Sequence, residues 1–143
     1  MATAEGEDGR RGPSPTALEV VRRHLRAVER LDAAAMADDY AEDAVVRRGD
    51  DQHRGRAEIA AYFATVPGRL AGARVQVGDV AVDGPTAGGG APGQRVTGRV
   101  VVRWRIVRGD GTAPDSGTTG TDTYDVAGGL IVAQQVVLDG EDF

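Results

Sequence analysis

Apolar residues in the first part of the chain recur at helical spacing. Leu18, Val21, Leu25, Val28 and Leu31 fall three or four apart, while Glu19, Arg22, Arg23, Arg26, Glu29 and Arg30 take the opposite face, which predicts a helix buried on one side only. Its start is marked twice: Ser14 followed by Pro15 gives a cap with proline in the first turn, and Thr16 stands three residues before Glu19, the spacing of a capping box. Asp32 can cap a second, short helix on which Met36 and Tyr40, four apart, share a face, and residues 44–48 read as a strand. Gly55 turns the chain into a third helix, marked by Ile59, Phe63 and Val66 and stopped by Pro67 and Gly68. Beyond Gly68 the period changes from helical to alternating, and strands are predicted over 74–82, 94–107, 117–126 and 130–138. Asp110-Gly111 lies between the second and third of these, and Ala127-Gly128-Gly129 between the third and fourth, both built from residues that tolerate positive φ. The glycine-rich stretch 84–93 lacks the strand-to-helix setting and the lysine of a phosphate loop and reads as a connector. Residues 1–13 carry no apolar period and read as a disordered tail, which leaves 14–143 as a single domain.

Composition narrows what such a chain can be. With 143 residues, 41% of them hydrophobic and 27% charged, it has the size and balance of one globular domain, able to bury roughly two thirds of the surface its unfolded chain exposes. No apolar run approaches the about 18 residues that span a bilayer. Arg10-Arg11 is not followed by the apolar segment of an export signal, so a soluble, cytoplasmic protein is expected. A net charge of -5 with no basic block argues against nucleic acid or an anionic membrane as a partner. Cys, Lys and Asn are missing, and the only serines, Ser14 and Ser116, fall in the tail and in a loop. Thiolate catalysis, disulfides, cysteine metal sites and lysine Schiff bases are thereby excluded, and neither serine stands beside a plausible activating base. The remaining toolbox is His24, His53, the carboxylates, three tyrosines, arginine, glutamine and Trp104.

The order helix, short helix, acidic turn, strand, glycine turn, helix over residues 17 to 63, ALEVVRRHLRAVERLDAAAMADDYAEDAVVRRGDDQHRGRAEIAAYF, resembles the N-terminal half of the NTF2-like superfamily, which includes ketosteroid-isomerase-like and SnoaL-like proteins. The resemblance implies an α+β fold, with three N-terminal helices packed on a curved, mostly antiparallel sheet that encloses a conical apolar cavity. Alternation then nominates its lining. Val100, Val102, Trp104 and Ile106 point in while Arg99, Arg103 and Arg105 point out, the face choice that avoids burying three arginines. On the next strands Asp122, Tyr124 and Val126, then Gln134, Val136 and Leu138, point in; the acid followed two residues later by an aromatic matches the family's pattern. Tyr40 and Phe63 belong to the cavity wall in the family, and Tyr62 is either wall or surface. Tyr40, Phe63, Trp104, Tyr124 and Gln134 are therefore the expected substrate-binding residues.

Three positions bear on chemistry. His24 falls inside the apolar arc of the first helix, at the turn where ketosteroid isomerases place the tyrosine of their oxyanion hole. A histidine there can donate a hydrogen bond or shuttle a proton near neutral pH, or it can be a half-buried core residue bonded to a backbone carbonyl. Asp122 matches the second oxyanion-hole member of the isomerases and lies close to the family position of the acid/base aspartate of SnoaL-like cyclases; its structural alternative is a carboxylate paired with a cation. Arg48 stands where the isomerases carry the aspartate that abstracts the substrate proton, which argues against true ketosteroid isomerase activity. An inward guanidinium needs a counter-charge, and Asp122 or a substrate carboxylate or enolate is the expected one. The Asp-Arg-Asp set of limonene-epoxide-hydrolase-like proteins is also missing, since Gly120 occupies its arginine position.

No metal or other cofactor is expected. Asp50, Asp51 and His53 are too close in sequence to surround an ion without help, and read as a solvated loop; Asp38, Asp39, Glu42 and Asp43 read as the exposed side of the second helix and its turn. The resemblance leaves two functions open. One is a cofactor-independent acid/base enzyme of cyclase, isomerase or dehydratase type, in which Asp122, His24 and Arg48 act on a small apolar carbonyl-bearing metabolite such as a polyketide. The other is a non-catalytic module of the same fold that binds a small ligand or oligomerises. A homodimer is expected through the outer sheet face of Arg99, Val101, Arg103, Arg105 and Val107, a surface often used for two-fold association in this superfamily.

Overall fold

In the computed structural model, which describes residues 16–84, 96–107 and 118–140, three helices and six strands follow one another as α1 (Ala17–Arg30), α2 (Ala33–Asp38), β1 (Tyr40–Arg48), β2 (Asp51–Arg54), α3 (Arg56–Leu70), β3 (Arg74–Gly84), β4 (Gly98–Val107), β5 (Thr118–Ala127) and β6 (Leu130–Gly140). The strands form one sheet in the order β2-β1-β6-β5-β4-β3. Only the β1–β6 pair is parallel; the others run antiparallel. The helices pack on one face of this curved, mostly antiparallel sheet, as the resemblance implies.

The capping box forms as its spacing predicts. Thr16 N–H donates to Glu19 Oε1 at 2.8 Å and Glu19 N–H donates to Thr16 Oγ1 at 3.1 Å, satisfying two of the donors a helix start leaves open. Val20, Val21, His24, Leu25 and Ala27 form the buried side of α1. The β5–β6 hairpin turns on Gly128 (φ 60) and Gly129 (φ 80), consecutive left-handed residues of the kind a two-residue hairpin favours. Alternation in β4 also holds: Val100, Val102, Trp104 and Ile106 are buried, Arg103 and Arg105 are exposed, and Arg99 forms a two-point pair with Asp125 at 2.7 and 3.2 Å. Opposite Trp104 in the ladder lies Gly120, where a Cβ would come within 2.1 Å of the indole. A glycine is needed there to let the ring lie across the neighbouring strand.

Several sequence expectations change. Tyr40 does not sit on α2; the helix closes at Asp38, Ile131 N–H donates to Asp39 O at 2.8 Å, and Tyr40 opens β1 beside Ile131. The loop 50–54 contains the edge strand β2, whose polar, exposed residues gave no apolar period to read. The turn leading into it, Arg48-Gly49-Asp50, places Gly49 at φ 59. Pro67 and Gly68 do not stop α3. The helix runs to Leu70, which is fully buried, and Ala71 ends it in the left-handed conformation with its N–H on Pro67 O. Pro67 removes one N–H from the last turns, and the burial of Val66 and Leu70 outweighs that loss. Val107, expected on the outer face, is buried. The Asp110-Gly111 turn, the connector after Gly84, the Ser14-Pro15 cap and the N-terminal tail lie outside the described residues. No helix among the described residues is long and apolar enough to cross a membrane.

Candidate active site

Between α1, α3 and the concave sheet face lies a cavity of about 70 Å³, lined by His24, Leu25, Val28, Met36, Tyr62, Phe63, Val66, Val75, Val77, Trp104, Asp122, Tyr124, Gln134 and Val136. Its wall is mostly aliphatic and aromatic, and no arginine is among these residues. The volume is well below the roughly 300 to 1,000 Å³ of pockets that enclose drug-sized ligands. A large guest would have to part the walls.

Strand pairing explains how the polar residues converge. Val46, Gln134, Tyr124 and Val100 stand in one row across β1, β6, β5 and β4, and Arg48, Val136, Asp122 and Val102 stand in the next. Gln134 reaches Asp122 along a diagonal, donating from Nε2 to Oδ2 at 3.0 Å, and Tyr124 donates its hydroxyl to the same oxygen at 3.1 Å. Oδ1 of Asp122 is buried and has no hydrogen-bond partner. Burial pushes this carboxyl above the usual aspartate range, against hydrogen bonding from the Trp104 indole, then from Tyr124, the His24 charge and hydrogen bonding from Gln134. With Oδ2 already accepting two hydrogen bonds, the proton of the neutral form belongs on Oδ1.

On the other side of Gln134, Tyr40 donates its hydroxyl to Oε1, which leaves the phenol oxygen to face His24 Nε2 at 3.3 Å. Burial, and after it the Asp122 charge, pushes both Tyr40 and Tyr124 well above the ordinary phenol range, so both remain donors at neutral pH. His24 is 1% exposed and stands edge-on to both rings, at centroid distances of 5.2 and 5.5 Å. Phe63 packs against His24 at 5.8 Å.

Behind His24 the structure places a residue the sequence reading assigned to the surface. Asp39 is 4% exposed, with Oδ2 3.6 Å from His24 Nδ1 and Oδ1 accepting from Arg23 Nε at 2.7 Å. Burial raises this carboxyl, but contacts with His24 and Arg23 outweigh it and hold Asp39 below the usual range. A signal was present: Asp39 lies three residues after Met36 and next to Tyr40, and both neighbours are buried.

Arg48 is buried as expected, but its pairing with Asp122 does not occur. The two flank Val136 on opposite sides, two strand spacings or about 9 to 10 Å apart, with a β-branched side chain between them. Arg48 instead donates to the Tyr62 hydroxyl at 3.2 Å and borders a separate cleft with Gly49, Asp50, Asp51 and residues of β6. His53 stacks on the other side of this cluster, its ring 4.4 Å from that of Tyr62. Among the described residues no group of three or more His, Asp or Glu side chains is placed to hold a metal ion. Of the nominated residues, His24, Tyr40, Phe63, Trp104, Asp122, Tyr124 and Gln134 thus gather in or directly behind the cavity wall, and Arg48 does not.

A family model described as a SnoaL-like domain matches residues 21–134. No curated protein matches the chain. Among solved structures, a candidate polyketide cyclase from Sinorhizobium meliloti aligns with a TM-score of 0.60 and 19% identity, covering 82% of this chain and 92% of that one. A candidate isomerase of the SnoaL-like family from Agrobacterium tumefaciens aligns with a TM-score of 0.61 and 20% identity over 86% and 97% of the two chains. A protein of unknown function with a cystatin-like fold from Methylobium petroleophilum aligns with a TM-score of 0.64 and 18% identity over 92% and 82%. At these identities the likeness shows the fold.

Proposed function

Because this chain belongs to the SnoaL-like domain family, whose fold it shares with a candidate polyketide cyclase and a candidate isomerase, we propose that it is a cofactor-independent acid/base enzyme acting on a small, neutral, largely apolar carbonyl compound. The observation that carries this reading is the buried carboxyl of Asp122 on the wall of an otherwise apolar cavity, whose Oδ1 makes no well-formed hydrogen bond although the Trp104 indole acts on the same carboxyl. A buried polar atom without a partner costs about 1 to 3 kcal/mol, a cost that a guest's carbonyl oxygen would remove. Neutrality is supported by the lining: Arg48 turns to Tyr62, and among the described residues no arginine lines the cavity to meet a substrate carboxylate.

The step such a site supports is enolisation. Asp122 gives the Oδ1 proton to the carbonyl oxygen, an α-carbon proton passes to the resulting carboxylate, and the enol forms with Asp122 again protonated. Tyr124 and Gln134 hold Oδ2 throughout, and the aromatic walls exclude water that would compete for the proton. One carboxyl group serves as both acid and base, consistent with arginine standing where related isomerases carry a second carboxylate.

The test needs no knowledge of the natural substrate. A small cyclic ketone in D2O is followed by proton NMR for loss of its α-protons, with wild type, Asp122→Asn and buffer alone. The proposal expects exchange above buffer that falls 10²-fold or more in Asp122→Asn. Equal exchange by both proteins would remove Asp122 from the chemistry. Ketone-dependent thermal stabilisation without exchange would leave a ligand-binding module in place of the enzyme.

A further inference from the structure

Asp39 does not line the cavity, yet it is buried against the histidine that does. We propose that Asp39 is a positioning residue that holds His24 as an imidazolium, and that His24, through Tyr40 and Gln134, fixes the direction of the hydrogen bonds that reach Asp122. The inference deepens the proposed acid role of Asp122, but the wiring itself can be measured without it.

The direction of each bond constrains the next. Gln134 donates to Asp122 Oδ2 from its nitrogen, so its oxygen is the atom facing Tyr40, and Tyr40 must donate to that oxygen. The Tyr40 oxygen is then an acceptor, and His24 Nε2, 3.3 Å away, must carry a hydrogen. On the far side of the ring, Nδ1 faces the Asp39 carboxylate at 3.6 Å, and these two atoms are both buried without a hydrogen-bond partner. A proton on Nδ1 turns that pair of orphans into a donor and an acceptor, and the small approach needed satisfies both at once. The ring then carries hydrogens on both nitrogens.

The surroundings favour that state. Facing His24 are Asp39 at the end of α2, Tyr40 at the start of β1, and Tyr124 and Asp122 from β5, while α3 contributes the apolar ring of Phe63. Arg23, the cation nearest on α1, is engaged with Oδ1 of Asp39 and leaves Oδ2 for the ring. Reversing the chain would require Tyr40 to donate to Nε2, the Gln134 amide to turn over, and Asp122 to carry its proton on Oδ2. That proton would be bonded to Gln134 and withheld from a guest.

The test is the ring nitrogen NMR spectrum of 15N-histidine-labelled protein at pH 7, with His53→Gln to assign the two histidines. The expected result is a His24 ring protonated on both nitrogens in wild type and in Arg23→Gln, and a neutral ring in Asp39→Asn. Loss of the imidazolium also removes a charge that favours ionised Asp122, so the pH midpoint of ketone exchange should move upward in Asp39→Asn. A neutral His24 ring in wild type would overturn the inference without recourse to any variant. A doubly protonated ring in a protein that does not exchange ketone protons would retain it and overturn the acid role of Asp122.

Discussion

Asp122→Asn should become more stable relative to wild type as pH rises, although it alters a carboxyl that accepts two hydrogen bonds in the cavity wall. Asparagine is close in shape to the neutral carboxyl: its oxygen can accept the hydrogen bonds of Tyr124 and Gln134, and its NH2 group takes the place of the Oδ1 hydroxyl. At acid pH, where wild-type Asp122 is protonated whether folded or unfolded, the two proteins should differ by no more than about 1.5 kcal/mol. Burial raises the folded-state pKa above the ordinary 3.8. Between these two values the native state keeps a proton that the unfolded chain has released, so wild-type stability falls with rising pH by up to about 1.4 kcal/mol per pH unit, and levels off above the folded value. The variant lacks this term. Urea unfolding of both proteins at half-unit steps from pH 4 to 8 reads the difference directly. A difference independent of pH, or one that turns against the variant as pH rises, would show that Asp122 is an ordinary or cation-paired carboxylate and refute the reasoning.

Gly120→Ala sets a Cβ against the Trp104 indole, so it should cost about 1 to 3 kcal/mol and shift the fluorescence of the chain's single tryptophan; an unchanged spectrum would show that the ring does not lie over that glycine. Tyr62→Phe removes an acceptor from Arg48 while keeping the ring that lines the cavity, and should lower stability by about 1 kcal/mol in urea unfolding; unchanged stability would show that the bond contributes nothing. Association is proposed through the outer face of β4, where Arg103 and Arg105 are exposed and Val101 is half-buried; light scattering at micromolar concentration should give twice the mass of the chain, and a monomer there would remove the proposal.

The sheet could be read from the sequence because each long strand buries one face, which makes alternation a direct record of which side chains meet the helices. Trp104, Asp122, Tyr124 and Gln134 were found this way, and the capping box located α1 to the residue. Features that depend on pairing were not visible. Strand β2 has exposed polar residues and exists because β1 offers it an edge, and Tyr40 leaves the helix because Ile131 and Asp39 join through the backbone. Asp39 was misplaced because a carboxylate is normally solvated; only the approach of Arg23 and His24 from α1 makes its burial tolerable. Arg48 was placed on the correct face, but no sequence pattern shows that Val136 stands between it and Asp122.

The central claim, that the cavity presents a carboxyl that stays protonated above the pH at which exposed aspartates ionise, is tested most directly by titrating the carboxyl carbon of Asp122. In protein labelled with 13C-aspartate, with Asp122→Asn for assignment, that resonance should remain at its protonated position past the pH at which exposed aspartates have moved, and change only at a clearly higher midpoint. A midpoint at or below that of the exposed aspartates would contradict the account, since Asp122 would then have no proton to give.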